Sequence, residues 1–174
     1  MARVAELPAL QTGRAVELVP GIRILRDREH YVIATGSSDT FEPVVLERDK
    51  LDTLPLNVGR FALAVEIFDD IDFGDALFLD VNKMAWPLTV RLWRAGDQLQ
   101  PLGMEGHQQV AEHLTNRKVP AVEKKKALVV ESFDKTICAI IFPPIKNQTP
   151  PGTISDQVKC DAETEQCLRI TFRT

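Results

Sequence analysis

Alternation between apolar and polar positions dominates this chain and predicts strands over most of its length. Residues 22–25 and 30–34 are short apolar runs around the polar Arg26-Asp27-Arg28-Glu29, the pattern of a hairpin with a four-residue connection. Val44–Leu46, 61–67 (FALAVEI) and 76–81 (ALFLDV) continue the series. In 88–93 (LTVRLW), period-two spacing puts Leu88, Val90 and Leu92 on one face and Arg91 and Trp93 on the other. Residues 127–131 and 136–142 predict two more strands joined by a Phe133-Asp134-Lys135 turn, and 167–172 (CLRITF) a terminal one. A helical period occurs at 107–117, where Val110, His113 and Leu114 recur three or four apart. Gly106 stands at the start of this expected helix, and Pro120 prevents its extension. So narrow an apolar stripe requires a sheet to lean on.

The fold class expected is α+β, strand-dominated, with a break near residues 75–87. Residues 1–20 read as a linker or the end of a preceding domain, and 21–80 as a small strand-rich linking region. Residues 81–174 read as a carboxy-terminal domain with a proline-rich loop at 143–153 (PPIKNQTPPGT).

Composition narrows the function classes. Hydrophobic residues at 44% and charged residues at 26% describe a globular chain rather than a disordered one. The net charge of -4 carries no global footprint of a nucleic-acid binder, so such an interface would have to be local. No apolar run reaches the length of a membrane span, and the amino terminus lacks a signal-peptide pattern, so no membrane partner is expected and the expected location is the cytoplasm. The odd set Cys138, Cys160 and Cys167 suits a reducing compartment. A Cys160–Cys167 bridge would need a hairpin to bring the two together. The acidic crowd Glu66, Asp69, Asp70, Asp72, Asp75 and Asp80 lacks the glycine and closing glutamate of a calcium loop and reads as solvated turns; no metal site is expected.

The densest chemistry lies between Arg91 and Pro120. Arg91 and Arg94 offer guanidinium forks that match phosphate oxygens, and Gly96-Asp97 would hold Arg94 near the following loop. Asp97 could equally pair with one of these arginines. Trp93 is either a half-buried edge of the core or a platform on which a base could stack. In Pro101-Leu102-Gly103-Met104-Glu105-Gly106, two glycines before a helix could turn backbone N–H groups towards an anion, or simply serve a sharp turn. Arg117, Lys118, Lys124, Lys125 and Lys126 form either a phosphate-binding surface with Arg91 and Arg94 or a solvated rim. His30, His107 and His113 do not share ligand spacing, and no nucleophile–base set accompanies them, so the chain reads as a binding module without catalytic residues of its own.

The central stretch resembles the carboxy-terminal domain of bacterial tRNA(Ile)-lysidine synthetase. Arg94, Gly96, Asp97, Pro101, Gly103 and Gly106 match that family's pattern in order, and Lys118, Val119 and Pro120 match its exit. The resemblance implies a domain of the type found in the phenylalanyl-tRNA synthetase β chain. It further implies a ligase that uses ATP and Mg to join lysine to C2 of the wobble cytidine in the minor tRNA(Ile) with a CAU anticodon. That chemistry resides in an amino-terminal domain with a Ser-Gly-Gly-x-Asp-Ser loop, which is absent from these 174 residues. The chain is therefore expected to be the tRNA-binding, substrate-positioning part of such an enzyme, inactive alone and holding no cofactor of its own. Its expected partners are the tRNA and the catalytic domain, with a homodimer as a further candidate. Arg91, Arg94, Arg117, Lys118, Lys124 and Lys125 are the expected tRNA contacts; Gly96, Asp97, Pro101, Gly103, Gly106 and Pro120 shape the loops. Gln108 and Gln109 stand where the family carries lysines on its helix, His113 stands at a usually hydrophobic position, and a basic motif following the penultimate strand is replaced by FPPIKNQTPPG. The alternative is a structural or self-association domain with an apolar patch around Trp93, Met104 and Leu114.

Overall fold

A computed structural model describes residues 15–19, 22–26, 31–35, 41–51, 54–58, 61–69, 76–143 and 152–173. The remaining residues lie outside the described ones, and with them the expectations that fall on 1–14, on the connection at 27–29, on His30, on Asp70, Asp72 and Asp75, and on 144–151 of the proline-rich loop.

β1 (Ala15–Val19), β2 (Ile22–Arg26) and β3 (Tyr31–Thr35) form an antiparallel three-stranded meander. β2 and β3 pair antiparallel as expected, with β2 running one residue further, to Arg26, and β3 shifted by one residue. β4 (Val44–Leu46) leads through a 3-10 turn at Arg48–Lys50 to β5 (Leu54–Val58) and β6 (Phe61–Phe68). β7 (Leu77–Asp80), β8 (Leu88–Leu92), β9 (Gln98–Leu99) and β10 (Gln108–Gln109) follow, then α1 (Val110–Asn116) and α2 (Ala121–Lys124). β11 (Leu128–Glu131), β12 (Ile137–Ile141), β13 (Gly152–Ile154) and β14 (Cys167–Arg173) complete the chain.

Two antiparallel sheets build the body: a five-stranded sheet ordered β13-β12-β11-β8-β4 and a four-stranded sheet ordered β5-β6-β14-β7. Strands from before and after residue 80 share both sheets, as β4 pairs with β8 and β6 with β14.

The core divides by sheet face. Leu88 and Val90 of β8, Leu128 and Val130 of β11, and Ile141 of β12 pack with Leu79, Leu168 and Ile170 of the four-stranded sheet. The opposite face, through Val129 and Ile140, packs with Leu99, Val110, Leu114 and Val119. The five-stranded sheet is thus covered on both sides, which explains why β12 reads ICAII without alternation and is buried throughout. Each fully buried leucine here contributes about 1.5–3 kcal/mol.

A bulge at Cys138 breaks the β11–β12 register, because Val130 pairs with Ala139 while Glu131 pairs with Ile137. On the other edge, the Cys138 carbonyl accepts from the Ser155 N–H at 2.8 Å, which continues the β12–β13 register one pair further and anchors the segment beyond β13. All three cysteines are free thiols. Cys160 and Cys167 do meet: burial first, then the neighbouring Cys167 thiol, pushes Cys160 up to about 12.

Three expectations need correction. The helix begins at Val110, not at 107, because Gln108 and Gln109 pair with Leu99 and Gln98 as a short ladder. His107 and Gly106 therefore precede it by a turn, and the two glutamines lie on a strand rather than a helix face. A second helix, α2, opens at Pro120, where a proline without an N–H suits a helix start as well as it ends the one before. Gly152 and Thr153, expected in the proline-rich loop, belong to β13 and pair with Ile141 and Ile140.

Candidate nucleic-acid interface

Arg91 is the first surprise. Period-two alternation sends it to the helix-covered face of the sheet, where it is 5% exposed. All five of its N–H donors find acceptors. Nε donates to Glu131 Oε2 at 2.8 Å, and Nη1 to the Leu92 carbonyl at 3.0 Å and to Asp97 Oδ2 at 2.9 Å. Nη2 donates to Asp97 Oδ1 at 2.9 Å and again to Glu131 Oε2. No donor remains for a phosphate. The expectation that Arg91 grips tRNA is corrected: a guanidinium in this layer must be matched inside the protein, and two carboxylates match it.

The same contacts settle the alternatives at Asp97. Burial alone would raise its carboxyl, but hydrogen bonds from Arg91 and from the Arg94 N–H outweigh that and hold it below the usual aspartate value. Glu131 behaves alike, raised by burial and lowered more by Arg91 and Lys135. Asp97 also closes the turn that precedes β9, its own N–H donating to the Arg94 carbonyl at 3.1 Å across Gly96 at φ 96°. Its carbonyl then accepts from the Val110 N–H at 2.9 Å, fixing where α1 begins.

The 101–106 loop does receive an anion, but an internal one. The Gly103 N–H donates to Asp156 Oδ1 at 3.0 Å, and the Asp156 N–H donates to the Gln100 carbonyl at 2.9 Å. Pro101 forms an isolated bridge with Ser155. The loop is occupied by the protein's own carboxylate, and Gly106 takes part in no such contact.

The remaining expected contacts lie around the end of α1. Its last turn closes with the Lys118 N–H on the Thr115 carbonyl and the Val119 N–H on the Leu114 carbonyl, both at 3.0 Å. Lys118 takes φ 57° to make this Schellman turn, a conformation usually left to glycine. Lys124 of α2 reaches back with Nζ to Thr115 Oγ1 at 2.9 Å, while its carbonyl accepts the Trp93 indole N–H at 2.6 Å. These two bonds tie together the end of β8, which carries Arg94, the end of α1, which carries Arg117 and Lys118, and α2, followed by Lys125. Arg94, Arg117, Lys118 and Lys125 are exposed, and among the described residues their side chains form no ion pair.

Trp93 proves to be a half-buried edge of the core, packed against the cluster that contains Leu114. Leu114 is fully buried. Of the apolar patch expected for self-association, Met104 alone is exposed, at 51%.

Two features went unseen in the sequence. Glu131, forty residues from Arg91, completes the ion cluster; the charge that ends the apolar run LVVE was its signal. A polar cleft of about 350 Å³ between the β9 region and the β11–β12 turn had none, since its walls come from distant segments. Among the described residues no helix is long and apolar enough to cross a membrane, and no group of three or more His, Cys, Asp or Glu could hold a metal.

An antiparallel two-sheet domain with a short helix over one face and an exposed basic knot beside it defines a mixed α+β, strand-rich class. Within that class, the chain resembles the C-terminal, substrate-binding domain of bacterial tRNA(Ile)-lysidine synthetase. The tRNA(Ile)-lysidine synthase of Parabacteroides distasonis is 26% identical over 153 residues, 86% of this chain and 32% of the relative. That of Dehalococcoides mccartyi is 25% identical over 92% of this chain and 34% of its own length. That of Symbiobacterium thermophilum is 30% identical over 57% of this chain and 18% of its own length. The chain thus spans about a third of the length of the first two curated relatives it matches. The solved TILS C-terminal domain superposes with a TM-score of 0.57 at 20% identity, covering 76% of this chain and 98% of that one, a likeness of fold. No family model matches the chain.

Proposed function

We propose that this chain is the tRNA-binding, substrate-positioning part of a tRNA(Ile)-lysidine synthase acting in the cytoplasm, and that it is catalytically silent by itself. The ATP- and Mg-dependent joining of lysine to the wobble cytidine of the CAU-anticodon tRNA(Ile) would then belong to a separate catalytic domain. The gripping unit would be the two-sheet body, to which β4–β7 from before residue 81 and β8 and β11–β14 from after it both contribute.

The observation that carries the reading is the basic knot: Lys124 bonded to both Thr115 and Trp93, with Arg94, Arg117, Lys118 and Lys125 unpaired around it. Unpaired cations on a chain of net charge -4 are a local anion site against an acidic background. The RNA backbone meets such a site by charge, with little reading of sequence. Its shape follows from the fold, since α1 is held against the sheet by the buried Val110, His113 and Leu114, and α2 by the bonds of Lys124 to Trp93 and Thr115.

The test is a titration of this chain with unmodified CAU-anticodon tRNA(Ile) at several salt concentrations. Affinity is expected to fall steeply with salt. Arg94→Ala with Arg117→Ala should lower the slope of log affinity against log salt by about one for each phosphate that the arginines neutralise. Binding that ignores salt, or that survives removal of both arginines unchanged, would overturn the proposal.

A further inference from the structure

The polar cleft next to the basic knot carries an inference of its own. Its walls are the 96–100 segment, the turn at 134–137, His107 and Gln157, with the buried Leu99 and Ile137 beneath. At 350 Å³ it sits at the small end of ligand-binding cavities, room for a single heteroaromatic ring system.

The polar groups facing it are not equivalent. Asp97 is spent, both oxygens being held by Arg91 and one also by the Arg94 N–H. Asp134 takes the Ser132 hydroxyl and the Thr136 N–H on Oδ1 and a further bond from the Thr136 side chain, and its two oxygens still have acceptor capacity to spare. The side-chain amides of Gln98 and Gln157 make no hydrogen bond among the described residues, so each offers a donor and an acceptor. The His107 ring is exposed and unbonded. Lys135, the cleft's lysine, is paired with Glu131 at 3.1 Å.

This inventory disfavours a phosphate. Two carboxylates line the cleft and its lysine is already paired, so the field is not that of an anion site. A neutral planar ligand with mixed donors and acceptors fits: amides pair with base edges through two parallel bonds, and a carboxylate accepts from an amino group. Phe133, 70% exposed, directly precedes Asp134 but lies outside the cleft's lining, so the cleft recognises a base by its edges. Gly96, on the cleft wall, lies two residues from Arg94, so backbone phosphates on the knot and a base in the cleft are within the reach of one strand.

We propose that the cleft holds an unpaired nucleobase of the bound RNA, its amino edge on Asp134 and its remaining edge read by Gln98 and Gln157. The inference rests on the RNA-binding reading above and adds to it that an unpaired nucleotide, besides the charged backbone, is recognised.

The experiment compares this chain's affinity for a short blunt RNA duplex and for the same duplex with an unpaired extension. Edge pairing should make the extended RNA bind about tenfold more tightly, the order expected for one well-formed base-edge contact. Gln98→Ala with Gln157→Ala should abolish that increment while leaving blunt-duplex affinity unchanged; neither side chain bonds within the protein, so folding is spared. Arg94→Ala should weaken both RNAs alike. An extension that adds nothing, or an increment that survives the double glutamine variant, overturns the cleft assignment and leaves the basic knot standing. Failure of both RNAs to bind overturns the RNA reading itself, and the cleft assignment with it.

Discussion

Arg91 and Asp97 meet as a two-pronged ion pair, Nη1 to Oδ2 and Nη2 to Oδ1, each at 2.9 Å, with side chains 6% and 12% exposed. Glu131 closes the cluster from the neighbouring strand. The arrangement couples the end of β8 to the start of α1, since Asp97 bonds Arg91 through its side chain and Val110 through its carbonyl. Arg91→Ala would leave two largely buried carboxylates facing each other. It is expected to cost about 3–5 kcal/mol in urea unfolding. Arg91→Lys should recover only part of this, because an ammonium cannot serve both carboxylates with a planar fork. A loss under about 1 kcal/mol would show instead that Arg91 is a surface cation.

The cluster also fixes an acid response. Asp97 and Glu131 have folded values depressed below their ordinary 3.8 and 4.5. Their contribution is therefore complete above those ordinary values and is lost as pH falls through the folded ones. Stability attributable to the cluster should be flat from pH 7 to about 5 and decline below about 4. In Asp97→Asn that decline should shrink, as followed by unfolding midpoints across the range.

His113 acts in a higher window. It is buried on the inner face of α1, with Nδ1 2.8 Å from Gln108 Oε1 and Nε2 buried without a partner. Burial first, then the charge of Arg117, depresses its pKa below 6.5. The folded state thus binds fewer protons than the unfolded one, so stability is full above pH 6.5 and falls as pH drops towards the folded value. His113→Phe, which restores an apolar side chain at this position, should remove that slope between pH 7 and about 5 and raise the melting temperature at the acid end. An unchanged slope would place the titrating group elsewhere.

Lys118 separates stability from binding. Its φ of 57° at the end of α1 is costly for a residue with a Cβ, and Val119 packing against Leu114 locks it there. Lys118→Gly is expected to stabilise the fold by about 1 kcal/mol, partly offset by the greater freedom of glycine in the unfolded chain. Because it also deletes a cation of the basic knot, the same variant should weaken RNA binding. A fall in both quantities would argue that the lysine stem, not its backbone, is what the turn needs.

What was legible in the sequence followed local rules. The faces of β8 were readable because the pleat alternates without exception, and Val110, His113 and Leu114 were readable because they share a helix stripe. The start of α1 was not, since Gln108 and Gln109 have no strong local preference and their pairing with β9 depends on the Asp97 turn. α2, at four residues, is too short to show a period. Arg91 was misread because a guanidinium looks the same in sequence whether its acceptors are RNA phosphates or carboxylates of its own chain. Only the placement of Glu131 beside it decides. The cleft needed three distant segments, 96–100, 134–137 and 157, to be brought together before any pattern existed.

Gly152 tests the part of the fold that the proline-rich run concealed. It sits in β13 opposite Ile141, and a Cβ there would overlap the Ile140 carbonyl oxygen and lie 2.9 Å from its carbon and 3.1 Å from Ile141 Cα. The obstructing atoms are backbone of β12, a strand buried on both faces and paired on both edges, so they cannot retreat without disturbing the core. Gly152→Ala should therefore cost about 3 kcal/mol, at the upper end for an added methyl, although alanine relieves the entropic penalty of glycine in a strand. Gly96→Ala provides the contrast: nothing lies within 4 Å of its Cβ, so only the strain of φ 96° acts, at about 1–2 kcal/mol. Denaturant unfolding of the two variants side by side gives the answer. A neutral Gly152→Ala would mean that β13 does not pack on β12 as described, and that residues 152–153 belong to the loop after all.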